Sequence, residues 1–186
     1  RIILGTLEIQ AGGTYHAGDG LFGSDFGSER LIIAGTLNVS GDVAFGMGED
    51  LLSIDTGATI TPGFGFDGGG DVDTLRLTGT GTRTEDMSRF QSFEIVEKKD
   101  TGIWTLISPD PAAPVTVQSV KVDTGSLVLL GLWKITGNTT TVLSGATLTI
   151  GDGSAQSAIE EDQDLEVFGE LRVSNNGKVT VAGETR

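Results

Sequence analysis

One short pattern recurs along this chain: a glycine or other small turn residue, followed by two apolar residues that flank a polar one. Residues 5–9 (GTLEI) and 35–39 (GTLNV) are nearly identical, and residues 125–129, 169–173 and 177–181 have the same form. Successive side chains of a strand point to opposite faces, so each run offers one apolar and one polar face. A run this short cannot bury its apolar face alone, so similar runs must stack on it.

The spacing of the runs favours a solenoid. Leu127 and Trp133 begin neighbouring apolar runs six residues apart, which leaves room for a strand and a corner but not for a crossover helix. An antiparallel meander could use the same spacing, but hairpin dipeptides are scarce and Asn176-Gly177 is the main candidate. At roughly 20 residues per rung, we predict an all-β solenoid of about eight to nine rungs.

Three segments break the rhythm, and we expect each to leave the regular rungs. Residues 11–30 are rich in Gly, Ser and Asp and predict either a loop that bulges from the rod or an irregular rung. Residues 108–114 (SPDPAAP) hold three of the four prolines and cannot lie inside a ladder. Residues 151–163 are polar and acidic.

Residues 85–99 allow two interpretations. Met87, Phe90 and Glu94 have helical spacing, which would give a helix of about three turns. Phe93 and Ile95 alternate around Glu94, which favours a strand with both apolar side chains on one face. We prefer the strand and keep the helix as the alternative.

The composition excludes several classes of function. The formal net charge is −14, from 26 acidic and 12 basic residues, and no Lys or Arg cluster of the kind that binds nucleic acid occurs. The same balance opposes docking on anionic lipid, and no apolar stretch is long enough to insert in a membrane as a helix. There are no cysteines, so disulfides and thiol chemistry are excluded.

Metal and catalytic candidates are few. Asp67, Asp71 and Asp73 lie around glycines in FDGGGDVDTL, and carboxylates at sharp turns hold calcium in β-rolls. Those rolls repeat the motif in tandem, whereas this chain has one imperfect copy, so side chains that accept backbone hydrogen bonds explain it better. We therefore predict no metal site and no cofactor, with these three residues as weak calcium candidates. His16 is the only histidine and, with no Gly-x-Ser-x-Gly elbow in the chain, we expect an exposed loop residue.

Other residue types have simpler explanations than chemistry. Polysaccharide lyases pair clustered carboxylates with a base, and Asp123 with Lys121 or Glu94 with Lys98 could supply such a pair, although solvated charge pairs explain both. Trp104 and Trp133 are in phase with Leu and Ile, which favours core packing over sugar binding. Asn175 and Asn176 would suit an asparagine ladder, but a turn explains the pair equally well.

Residues 71–106 carry a more specific pattern. It consists of Asp-x-Asp-Thr-Leu-x-Leu-x-Gly-x-Gly at 71–81, Phe-x-x-Phe-Glu at 90–94, and Lys-x-x-x-Gly-x-Trp-Thr-Leu at 98–106. This order of motifs resembles the passenger domains of bacterial autotransporters. The resemblance implies a right-handed parallel β-helix that is exported through the outer membrane to the bacterial cell surface. It also fits the absence of cysteine, because a passenger crosses that membrane poorly folded.

The expected function follows from these points. We expect residues 1–186 to be one β-helix segment, a fragment of a longer passenger, because the chain starts at Arg1 without an initiating Met. The segment would be a structural rod or adhesin and not an enzyme. Its expected partner is a surface protein or glycan of a host or neighbouring cell, and self-association is the other option. The alternatives are a polysaccharide-acting enzyme of the lyase or glycosidase type on the same scaffold and a calcium-stabilised β-roll.

Overall fold

The chain folds into a parallel β-helix in a computed structural model, which describes residues 2–3, 5–24, 27–61, 63–137, 139–152, 156–162 and 164–182. These residues form 25 strands and one 3₁₀ turn, Met87–Arg89. In chain order the strands are β1 Ile2–Ile3, β2 Thr6–Ile9, β3 Thr14–Ala17, β4 Leu21–Phe22, β5 Arg30–Ile33, β6 Thr36–Val39, β7 Val43–Met47, β8 Leu51–Asp55, β9 Thr59–Ile60, β10 Phe66–Gly70, β11 Thr74–Thr78, β12 Thr82–Asp86, β13 Phe90–Gln91, β14 Ile95–Lys98, β15 Ile103–Ile107, β16 Val115–Val117, β17 Ser119–Val122, β18 Gly125–Leu130, β19 Leu132–Ile135, β20 Thr140–Val142, β21 Ala146–Ile150, β22 Ser157–Glu161, β23 Leu165–Val167, β24 Glu170–Val173 and β25 Gly177–Val181.

Strands β1 to β24 form eight successive triplets, one per rung, and β25 begins a ninth. The second strands of the triplets form one sheet of eight, β2-β5-β8-β11-β14-β17-β20-β23, which we call the second face. The first strands form β1-β4-β7-β10-β13 and then β16-β19-β22-β25, which make up the first face. The third strands form β3-β6-β9 and then β12-β15-β18-β21-β24, which make up the third face.

All strand pairings among the described residues are parallel. The eight strands of the second face span about seven turns. This architecture confirms the predicted all-β solenoid and is consistent with a right-handed parallel β-helix. An antiparallel meander is excluded, because consecutive strands of the chain never pair with each other within the described part.

Most rungs take slightly more than the roughly 20 residues expected. Thr6 pairs with Arg30, 24 residues further along the chain, and Lys121 pairs with Thr141, 20 residues further along. Register is kept on the second face because its inward residues are apolar in rung after rung, and a slip of one residue would turn them outward. One inward column consists of Leu7, Leu31, Leu52, Leu75, Val96 and Val120.

The core of the rod is the space between the three faces. Fully buried side chains from all of them fill it, including Phe45, Phe66, Trp104 and Trp133. Phe66 stacks on Phe90 with ring centroids 5.5 Å apart, so aromatic side chains repeat between rungs as aliphatic ones do. This shared interior buries the apolar faces that single strands could not bury alone.

The three irregular segments differ in the structure. Residues 11–30 contain β3 and β4, so this stretch is an irregular rung and not a loop, although Asp25 and Phe26 lie outside the described residues. Residues 108–114 contain no strand and connect β15 to β16. The excursion expected at 151–163 is shorter than predicted, because β22 pairs in register with β19; residues 153–155 and 163 lie outside the described part.

The helix alternative for residues 85–99 is wrong. Beyond the single 3₁₀ turn, this segment forms β13 and β14. The prediction that Phe93 and Ile95 share a face is also wrong: Phe93 is 5% exposed and precedes a corner, whereas Ile95 lies half-buried on the outer side of β14. The corner changes the direction of the chain at Glu94, so the alternation of side chains does not run through it.

Candidate functional site

The predicted calcium candidates do not converge on a common point. The Asp71 carboxylate accepts from the Gly48 N–H (3.2 Å), and the Asp67 carboxylate accepts from the Gly69 N–H (3.1 Å). Asp73 is fully buried, and its Oδ1 accepts from the Asp50 N–H at 2.8 Å. Each carboxylate therefore satisfies a backbone donor at a corner. No group of three or more His, Cys, Asp or Glu side chains in the described residues could hold a metal ion.

The two charge pairs considered for lyase chemistry are placed differently. Lys121 Nζ lies 3.3 Å from Asp123 Oδ1 on the outer side of the second face, and Lys99 also pairs with Asp123. Burial raises the pKa of the Asp123 carboxyl, but the hydrogen bonds from these two lysines outweigh burial and hold its pKa below the usual 3.8. Lys98 instead points into the core, where its ammonium donates to backbone carbonyls, while Glu94 accepts from the Asp73 N–H (2.9 Å).

The remaining candidates have structural positions. His16 is exposed as predicted, but the prediction of a loop is wrong, because His16 lies in strand β3, which pairs with β6. Trp104 and Trp133 are 0% and 1% exposed, and their indole N–H groups donate to the carbonyls of Thr78 (2.9 Å) and Leu130 (3.0 Å). Core packing with a satisfied N–H therefore describes both tryptophans, and neither is available to bind a sugar.

A depression lined mainly by apolar surface lies where the third face meets the first. We call it the notch. It has a volume of about 410 Å³ and its described lining residues come from three successive corners: Ile107, Ser108, Pro109, Pro111, Leu130, Gly131, Leu132, Asp152, Gln156 and Ser157.

The notch exists because corners of different length follow one another along the rod. Gly131 alone separates β18 from β19, and its left-handed φ of 78° permits this tight corner. The connections one rung to either side are longer: residues 108–114 precede it, and the connection from Ile150 to Ser157, of which residues 151, 152 and 156 are described, follows it. The short corner therefore forms a floor of Leu130 and Leu132 between two walls.

Two serine hydroxyls lie at the bottom of the notch. Ser157 is 1% exposed, and its Oγ accepts from the Gly131 N–H at 3.1 Å. Ser108 is 7% exposed, and its Oγ has no hydrogen-bond partner among the described residues. The Ser108 Oγ is itself buried, so a ligand group can bond to it only if the side chain turns towards the notch. A buried hydroxyl without a partner is costly, and such a bond would remove that cost. The notch combines an apolar floor with a buried serine hydroxyl beside it.

The structure also shows a feature that the sequence analysis missed. Four acidic side chains stand one above another at the corner between the first and second faces, in rungs two to five. We call Glu29, Asp50, Asp73 and Glu94 the carboxylate column. The Glu29 N–H donates to Asp50 Oδ1 (2.6 Å), the Asp50 N–H to Asp73 Oδ1 (2.8 Å), and the Asp73 N–H to Glu94 Oε2 (2.9 Å).

The column was visible in the sequence as a repeat. An acidic residue stands immediately before the second-face strand in each of these rungs, at intervals of 21, 23 and 21 residues. Burial is the main cause that raises the pKa of Asp50 from its usual 3.8 to about 7 and that of Asp73 to about 6. Attention to polar residues at a fixed rung position, in addition to apolar ones, would have found it.

Comparison with models of protein families, with curated proteins and with solved structures gives no match to this chain. The parallel β-helix supports the fold that the autotransporter resemblance implied. No family match supports membership of the autotransporter family. No helix in the described residues is long and apolar enough to cross a membrane. The features of the molecule that bear on its function are the rod and the notch.

Proposed function

We propose that this chain is a segment of a β-helical rod, displayed on a bacterial cell surface or secreted, that holds a contact surface away from its anchor. The second face supports this role because its ladder is continuous through eight rungs, and stacked parallel strands resist bending and extension together. Seven steps of about 4.8 Å make the described segment a rod about 34 Å long.

The observation that carries the proposal is the notch. A rod needs only corners of uniform length, whereas here two longer corners flank a tight one and leave an apolar floor with the unpartnered Ser108 hydroxyl. Connections that leave a rigid scaffold are where binding residues concentrate. The partner is a surface protein or glycan of a host or neighbouring cell, and it contacts the notch with an apolar group and a hydrogen-bonding group.

A display experiment tests both parts. The chain is fused between a bacterial signal peptide and an outer-membrane barrel, and surface exposure is measured by protease accessibility on intact cells. Adhesion of these bacteria to mammalian cells, to other bacteria and to immobilised glycans is then compared with adhesion of bacteria that carry the barrel alone. We expect the chain to reach the surface and to raise adhesion to at least one of these targets.

Two matched substitutions locate the contact. Leu132→Arg places a charge on the floor of the notch, and Ile103→Arg places the same charge at an exposed apolar position on the third face. Adhesion is expected to fall with Leu132→Arg and to persist with Ile103→Arg, with circular dichroism confirming that both are folded. Equal adhesion of both variants would move the contact away from the notch, and no adhesion above the barrel alone would contradict the adhesive role.

A further inference from the structure

The carboxylate column leaves three buried oxygens without a donor. Asp50, Asp73 and Glu94 each use one oxygen to accept a backbone N–H from the rung before, whereas Glu29 uses one oxygen to accept from Ser24 in its own rung. The second oxygens of Glu29, Asp50 and Asp73 are buried and have no hydrogen-bond partner among the described residues. These side chains are 3%, 2% and 0% exposed, so water does not satisfy their second oxygens from outside.

Full ionisation of this column would be unfavourable. Neighbouring rungs are about 4.8 Å apart, so like charges would face each other at close range in a poorly solvated corner. Among the described residues, no Lys or Arg forms an ion pair with any of the four carboxylates. Buried carboxylates that approach each other without a cation relieve this repulsion by retaining a proton.

The hydrogen bonds show where one proton fits. Glu29 Oε1 accepts from both the Ser24 N–H (3.2 Å) and the Ser24 hydroxyl (2.7 Å), so only Glu29 Oε2 remains open to accept a further donor. Asp50 Oδ1 accepts from the Glu29 N–H, which leaves Asp50 Oδ2 free to carry a proton. The Asp50 and Glu29 carboxyl groups lie within hydrogen-bonding reach of each other. An O–H on Asp50 that donates to Glu29 would therefore give both unpartnered oxygens a partner.

We infer that Glu29 and Asp50 form a proton-binding site, in which a shared proton links the corner of rung two to the corner of rung three. The N-terminal half of the rod is therefore a pH-sensitive element: it is more stable when the site is protonated and less stable when the proton leaves. This inference does not depend on the proposed display role.

The carboxylates of the neighbouring rungs all act on the pair in the same direction, because all of them are negative. Asp73 faces Asp50 from the next rung, and Glu94, Asp71 and Asp67 face Asp73 in turn. On the outer side, a shallow depression beside Asp50 is lined by Arg30, Glu49 and Arg76. The Arg76 guanidinium is already paired with Glu97 at 2.8 Å.

The sign of the pH effect follows from the raised pKa values. The pKa of Asp50 is raised to about 7 and that of Asp73 to about 6, both from a usual 3.8, with burial as the first cause. A carboxyl whose pKa is higher in the folded than in the unfolded state stabilises the fold below the unfolded value. That contribution is lost as the pH rises through the folded value. Stability should therefore fall as the pH rises from about 4, near the unfolded pKa, to about 7, the folded pKa of Asp50, and it should be lower at about pH 8 than at about pH 5.

The test is the midpoint of thermal unfolding, Tm, measured across this range. For the wild-type chain we expect Tm to be higher at about pH 5 than at about pH 8 by about 3 °C or more. Asp50→Asn is the decisive variant. The amide N–H of asparagine can donate to the Glu29 carboxylate, as the protonated Asp50 carboxyl does, and its carbonyl can still accept from the Glu29 N–H. The variant should match the wild type at the lower pH, exceed it at the higher pH, and lose at least about half of the pH difference.

Two controls separate this site from other causes. His16→Gln removes the only histidine, and Asp19→Asn removes one exposed negative charge from the same half of the rod. Both should keep the wild-type pH dependence. A wild-type Tm that does not change between the two pH values would overturn the inference. So would an unchanged pH difference in a folded Asp50→Asn variant. If that variant does not fold, Glu29→Gln, which removes the second charge of the pair, must reduce the difference instead.

Discussion

Lys98 occupies an inward position that is aliphatic in the other seven rungs of the second face: Ile9, Ile33, Ile54, Leu77, Val122, Val142 and Val167. Its side chain is fully buried, and burial lowers the pKa of its ammonium. The ammonium donates to the carbonyls of Lys99, Asp100 (2.7 Å) and Thr124 (3.3 Å). Asp100 has a left-handed φ of 59°, so the ammonium holds together a corner whose backbone is unusual.

Lys98→Met tests whether these hydrogen bonds outweigh the cost of burying the charge. Methionine fills similar volume but leaves the carbonyls without their donor, so we expect a loss of roughly 1–3 kcal/mol in the free energy of unfolding, measured by urea denaturation. Leu77→Met, one rung earlier in the same column, is the control for packing alone and should cost less. A Lys98→Met variant as stable as the wild type would show that burial of the charge cancels the hydrogen bonds.

Asp67, Asp71 and Asp73 give a second prediction at this scale. Because each accepts a backbone N–H and the three do not converge, calcium should find no site among them. We expect Tm in about 1 mM calcium to equal Tm in a chelator at matched ionic strength. A calcium-dependent rise in Tm that Asp71→Asn abolishes would restore the β-roll alternative.

Between rungs three and four the third face is interrupted, since β9 and β12 belong to different sheets. Inward-facing charged side chains fill this junction. Glu85 is 6% exposed and lies between Arg83 (2.6 Å) and Arg89 (3.2 Å). Arg83 also donates to the Ala58 carbonyl of the earlier rung and lies over the Trp104 ring, so it links the two parts of the face. Here an ion cluster replaces the ladder that joins other rungs.

Glu85→Gln should therefore destabilise the rod. It removes the charge shared by two partly buried guanidinium groups, and we expect a loss of roughly 1–3 kcal/mol. Glu170 and Arg172 provide a matched control, because they form the same pair two residues apart on the same face but are exposed. Glu170→Gln should leave the urea midpoint unchanged within error. Equal effects of the two substitutions would contradict a special role for the junction.

The limits of prediction from sequence are also clearest for single elements. The runs around Leu75, Leu77, Trp104 and Leu106 alternate without interruption and were predicted correctly, because apolar periodicity reports directly on burial. The segment around Glu94 was predicted in part wrongly, because a corner there resets the alternation. Strand β22 was not predicted, because its core-facing side includes the polar residues Ser157 and Glu161. It is a strand because it pairs with β19 in the rung before.

The candidate site was less accessible to sequence analysis. The proline-rich wall of the notch was visible, since proline cannot donate in a ladder. The notch also requires the connections that flank Gly131, residues 108–114 and the segment between Ile150 and Ser157, to lie one rung to either side of it. This placement depends on the register of three strands, which no local pattern encodes. The carboxylate column depends on register in the same way, because residues 21 to 23 positions apart become neighbours only when the rungs stack.

For the whole molecule, the second face is the continuous element on which the rest depends. The first and third faces each change sheets once, whereas the second face pairs strand to strand from β2 to β23. The formal net charge of −14 opposes association between rods. Rigidity comes from the scaffold, and in the proposed role the specificity of contact would come from the corners.

The most direct test of the parallel stack measures distances along its outer side. Glu8, Glu97, Lys121 and Glu166 lie in one outward column of the second face, in rungs one, five, six and eight. The chain has no cysteine, so pairs of introduced cysteines can carry spin labels without background. Pulsed electron paramagnetic resonance from position 8 should give backbone separations of about 19, 24 and 34 Å to the other three, after allowance for the label arms. Distances that rise by one constant step per rung would support the stack, and distances that do not increase from rung five to rung eight would contradict it.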